Sequence, residues 1–63
     1  MNLKYWISQA MKLQGGSFVQ ALGGCILAAD DDNYAKLEAA FPLYFEIYTE
    51  VAERLKSEDD AKP

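Results

Sequence analysis

A chain of 63 residues forms one domain, and a core that small rarely supplies more than roughly 3–5 kcal/mol of net stability without a disulfide, a metal or a partner subunit. One cysteine excludes an internal disulfide, and with no histidine beside it a four-ligand zinc site is excluded too, so association is the supplement that remains. Ten carboxylates against six basic residues, a net charge of −4, argue against phosphate-tracking nucleic-acid binding, while 51% hydrophobic content argues against wholesale disorder.

The basic residues Lys4, Lys12, Lys36, Arg54, Lys56 and Lys62 are scattered through the chain. Leu3, Trp6, Ile7, Ala10, Met11 and Leu13 recur at helical spacing and predict a first helix over about residues 2–13. No apolar run of signal length with a small-residue cleavage site follows Lys4, and no stretch approaches the ~18 apolar residues of a membrane span. The sequence is therefore read as starting at Met1, cytoplasmic and reduced, with no membrane partner. Gly15-Gly16 is expected to stop the helix through a left-handed conformation.

Ser17 with Gln20 three residues on has the S-x-x-Q form of a capping box and predicts a second helix over about residues 17–29. Phe18, Leu22, Cys25, Ile26 and Ala29 are expected to face inward, beside a stripe of small residues, Ser17, Ala21, Gly24 and Ala28. Gly23 and Gly24 each cost the helix about 0.5–1 kcal/mol against alanine, so close approach of another helix is expected at both, and Gly24→Leu should destabilise the protein.

Asp30-Asp31-Asp32-Asn33 places an N-cap at Asp30 or Asp31 and carboxylates at the positive end of a helix dipole. A third helix over about residues 31–40 follows, with Tyr34, Leu37 and Phe41 inward and an Asp32–Lys36 pair outside. Pro42 cannot continue that helix but suits the first position of a fourth, over about residues 42–56. The charged residues 57–63 are expected to be a disordered acidic tail. The fold expected is all-α, a small bundle of three to four short helices forming a single domain over residues 1–56. No alternating pattern supports a strand.

Chemistry is scarce. A calcium loop needs ligands alternating along twelve residues with a central glycine and a closing glutamate, whereas Asp30–Asp32 are contiguous and better explained by capping. Glu46, Glu50 and Glu53 share one helix face but have no histidine to complete a di-iron motif, and Glu50 suits an ion pair with Arg54. Cys25 lacks an activating base and is expected to be a core thiol. Gly23-Gly24 lacks the Gly-Lys-Ser/Thr ending of a phosphate loop. No catalytic residue, metal ligand or cofactor site is assigned, and an enzyme is not expected.

The most informative segment is Phe41-Pro42-Leu43-Tyr44-Phe45-Glu46-Ile47-Tyr48, apolar or aromatic at every position except Glu46. A surface helix carries an apolar stripe about 100° wide, and this one is apolar nearly all round. Tyr44, Tyr48, Val51 and Leu55 share one side; Leu43 and Phe45 point elsewhere. With few residues to wrap it, the segment is a candidate protein-binding surface comprising Phe41, Leu43, Tyr44, Phe45, Ile47 and Tyr48, with Tyr5 and Trp6 of the first helix as possible members. Gly23 and Gly24 are candidate helix-packing positions.

Gly15-Gly16-Ser17-Phe18-Val19-Gln20-Ala21-Leu22, Ala29-Asp30, Asn33, Lys36-Leu37, Ala40-Phe41-Pro42, Tyr44 and Tyr48 form a pattern, GGSFVxAL…AD…N…KL…AFPxY…Y, that resembles short helical proteins of bacteriophages and other mobile elements. It covers more than half of the chain, and its positions are mostly caps and core. The resemblance implies a compact helical fold in a phage or prophage context, hence a bacterial cell or phage-infected host. It carries no activity and no functional residues. Gly23-Gly24-Cys25 departs from it, since helix formers are usual there.

Three functions compete. The first is a small non-catalytic protein-binding protein that self-associates or binds another protein. The second is an acidic inhibitor of a host nucleic-acid-binding protein, using Asp30–Asp32, Glu46/Glu50/Glu53 and Glu58–Asp60. The third, a helix-turn-helix DNA binder, is disfavoured because its recognition helix would open with acids; no nucleic-acid partner is expected.

Overall fold

The computed structural model describes residues 3–61. Among them the chain is all-helical: α1 spans Leu3–Gln14, α2 Ser17–Ala28, α3 Asp31–Ala40 and α4 Pro42–Asp60. Helix α1 packs against both α2 and α4, whereas α3 touches α4 more sparingly. The core lies where α1, α2 and α4 meet, built from Ile7, Met11, Val19, Leu22, Ile26, Phe45 and Ala52. Leu3, Trp6, Tyr34, Leu37, Phe41, Tyr44 and Tyr48 close over it, each partly buried.

The contact between α1 and α2 is a close one. Ser8, fully buried, donates its hydroxyl hydrogen to the Gly23 carbonyl oxygen at 2.7 Å. A Cβ at Gly23 would lie 2.9 Å from the Ser8 carbonyl oxygen and 3.1 Å from Met11 Cβ. Gly23 is thus the helix-packing glycine that the sequence predicts. Gly24 is not, because nothing lies within 4 Å of where its Cβ would be. The expectation of close packing there, and with it the basis for Gly24→Leu as a disruptive change, falls away.

The turn between α1 and α2 also differs from expectation. No glycine has a positive φ among the described residues, so Gly15 does not act through a left-handed conformation. Instead a Cβ at Gly15 would lie 2.4 Å from Val19 Cγ1, and the turn is closed by the Gly15 N–H donating to the Met11 carbonyl at 2.9 Å. The capping box does not form. Gly16 is the N-cap of α2 and makes no side-chain cap bond. The Gln20 side-chain amide nitrogen donates to the Gly15 carbonyl oxygen at 3.1 Å, whereas a capping box needs its side-chain oxygen to accept from the N-cap backbone N–H.

At its other end α2 stops at Ala29, whose backbone is extended. Lys4 donates from Nζ to the Ala29 carbonyl oxygen, placing a cation from α1 at the negative end of the α2 dipole. Asp30 then caps α3, its Oδ1 accepting from the Asn33 N–H at 2.8 Å. Phe41 ends α3 and begins α4, because the residue before a proline is driven out of the helical region. Pro42 takes the first position of α4, where its missing N–H costs nothing.

Helix α4 overruns its expected end. Residues 57–60, expected to be disordered, continue it through Asp60, with Lys56 and Asp60 one turn apart and paired at 3.1 Å. Ala61 is its C-cap, and residues 62–63 of the expected tail lie outside the described residues. The anticipated pairs Asp32–Lys36 and Glu50–Arg54 are not formed among the described residues. No helix there is long and apolar enough to cross a membrane.

Candidate interaction surface

Helix α4 turns its Phe45 and Ala52 side to the core. Phe45, 4% exposed, meets the ring of Tyr34 edge-on at 5.5 Å. It therefore leaves the candidate surface: its ring is the core residue that α3 and α4 share. Tyr44 and Tyr48 lie on the flank of that buried side and are half-buried. Leu43 and Ile47 point the other way, four residues apart, and are 61% and 51% exposed. Glu46 and Glu50, also exposed, each follow one of them by three positions and so border the pair along the helix.

A second apolar feature joins α2 to the start of α4. Phe18, expected in the core, is 56% exposed. Its ring lies 5.8 Å from Phe41 and 6.1 Å from Tyr44, and those two are 6.1 Å apart, so the three form one aromatic cluster. Inward positions of α2 are Val19, Leu22, Gly23 and Ile26 rather than Phe18 and Cys25. Cys25 is exposed, not a core thiol, because the register set by Ser8 and Gly23 turns it toward solvent. Leu13 is likewise exposed, on the far side of α1 from its buried residues.

Tyr5 and Trp6 meet edge-on at 5.1 Å, but no ring contact links them to the aromatics of residues 41–48. They are a separate pair, Trp6 leaning on the core and Tyr5 exposed.

Between α2 and α3 lies an open groove of ≈ 560 Å³. Cys25, Ala28 and Ala29 line one wall, and Asn33, Lys36, Leu37 and Ala40 the other. The two helices are tied at one end by the short link at Ala29 and Asp30, and at the other by the Phe18–Phe41 ring contact. Helix α3 has no fully buried residue. Tyr34 anchors it, and the Tyr34 hydroxyl is held above the ordinary tyrosine pKa, chiefly because burial disfavours the phenolate and secondly because the Glu38 carboxylate repels it.

The charged positions offer little chemistry. Asp30 is engaged in capping, Glu46, Glu50 and Glu53 are exposed, and among the described residues no group of three or more Cys, Asp or Glu converges on a metal-sized site. Every buried side-chain polar atom there has a hydrogen-bond partner. No protein-family model, no curated protein and no solved structure matches the chain.

Proposed function

We propose that the chain is a small, non-catalytic protein-binding protein that self-associates, working in the cytoplasm of a bacterial cell or phage-infected host. The setting rests on the resemblance to mobile-element proteins. The binding role rests on one observation: two branched aliphatic residues, Leu43 and Ile47, stand exposed one turn apart on an ordered helix. Contiguous exposed apolar surface on a small domain marks an interaction site. The Phe18–Phe41–Tyr44 cluster adds aromatic area close by, of the kind that interfaces concentrate. Light scattering over a range of concentrations tests it: the mass should rise above one chain at high micromolar concentration, and a constant single-chain mass would remove self-association.

The continuation of α4 through Asp60 favours a second reading, an acidic inhibitor of a basic host protein. Glu46, Glu50, Glu53 and Asp60 fall on one side of a single ordered helix rather than being split between helix and tail. A pull-down against basic nucleic-acid-binding proteins at low and high salt tests it. Capture should fail at high salt and in a Glu46→Gln/Glu50→Gln/Glu53→Gln variant. Capture indifferent to salt, or none, would end this reading.

A further inference from the structure

We infer that the groove between α2 and α3 receives the Leu43–Ile47 ridge of a second copy of the chain, in a reciprocal two-fold dimer. This rests on the self-association proposed above and names its two complementary surfaces.

The groove is shaped for a row of branched side chains. Its walls carry Cys25, Ala28, Leu37 and Ala40, mostly small residues that leave room between two helices tied at both ends. An amphipathic helix laid into such a groove inserts residues spaced three and four apart. Leu43 and Ile47 have that spacing, and both stand exposed among the described residues. Within its own fold α3 buries no residue completely, so its groove-facing side has surface left to cover.

Charge points to the same occupant. Ten carboxylates are present in the chain, yet none lines the groove; its one charged residue is Lys36, on the α3 rim. Lys36 has no ion pair among the described residues. The ridge is apolar at its crest and bordered by Glu46 and Glu50. An aliphatic crest with acidic borders complements an alanine-walled groove with a basic rim.

Area explains the reciprocity. A stable dimer buries about 800 Å² per partner, close to a fifth of the 4209 Å² that this chain exposes. One ridge in one groove covers only a few side chains. In a two-fold dimer each copy gives its ridge and receives its partner's, so the contact is made twice and the assembly closes.

Charge reversal on the full chain tests the pairing. Lys36→Glu and Glu46→Lys/Glu50→Lys, each by itself, set like charges together at both contacts of the dimer, and each should weaken dimerisation about tenfold or more by sedimentation. Mixed one to one they are complementary at both contacts, so the mixture should recover the wild-type dimer as a heterodimer. That recovery also shows that both variants are folded. Lys36→Glu dimerising like wild type, or a mixture no better than its components, would overturn the inference while leaving self-association through another surface, such as ridge against ridge. A wild-type chain that stays a monomer would overturn both.

Discussion

The Ser8 hydroxyl and the Gly23 carbonyl oxygen, 2.7 Å apart, mark a close approach of α1 and α2. The bond is buried, and the Ser8 backbone oxygen leaves no room for a methyl group on Gly23. Gly23→Ala is expected to lose about 1–3 kcal/mol through forced separation of the helices, outweighing its gain in helix propensity. Gly24→Ala, with open space at its Cβ, is expected to gain about 0.5–1 kcal/mol. Urea denaturation of the two variants side by side checks both signs; equal shifts would show that the contact does not depend on Gly23.

Of α2, α3 and α4, α3 alone has a side-chain N-cap, Asp30, among the described residues. Asp30→Ala should cost about 0.5–2 kcal/mol in the same measurement. Asp32→Ala, which removes a first-turn carboxylate without removing the cap, should cost less. Equal losses from both would assign the effect to the helix dipole instead of the hydrogen bond.

Tyr34 makes stability depend on alkaline pH. Its folded pKa lies above the unfolded value, so the neutral hydroxyl is favoured in the fold. Below the unfolded tyrosine pKa of about 10 both states hold the proton and the contribution is fully present. As pH rises above that value the unfolded chain loses its proton first, and stability falls until the folded pKa is passed. Thermal melts of wild type and Tyr34→Phe across that range should show a steeper decline in wild type. Parallel declines would show that Tyr34 contributes nothing to it.

Cys25 reports on the groove. At low micromolar concentration a thiol reagent should label it fully without denaturant, since the side chain is exposed in the single chain. At concentrations where the chain dimerises, labelling should slow as the groove fills. A reaction that requires denaturant would mean that Cys25 is buried in the monomer; a rate independent of concentration would mean that the groove stays open.

Local chemistry made both ends of α3 and the start of α4, though not its end at Asp60, legible in the sequence. Asp30 caps its own helix and Pro42 breaks one and starts the next, and neither effect needs a distant partner. The inward face of α2 was not legible for the opposite reason. Phe18, Val19, Leu22, Cys25, Ile26 and Leu27 surround that helix with apolar choices, and spacing does not select among them. The selection comes from Ser8, fifteen residues away in the chain, seating against Gly23. A similar limit applies to α4: its first half is apolar nearly all round, and only packing against the shared core and the Tyr34 ring separates Phe45, inside, from Leu43 and Ile47 outside. Sequence reasoning missed Phe18 as a surface residue; its place seven positions before Cys25, on the same side of α2, was the available signal once that side is known to be exposed.

Self-association through the exposed side of α4 is tested most directly by sedimentation equilibrium of the wild-type chain and a Leu43→Asp/Ile47→Asp variant, from low to high micromolar concentration. Neither substituted residue is in the core, so helix content and melting should stay close to wild type. Wild type should approach twice the single-chain mass as concentration rises, and the variant should remain a single chain throughout. A wild type that is monomeric over the whole range, or a variant that associates as strongly as wild type, would contradict the proposed role of Leu43 and Ile47.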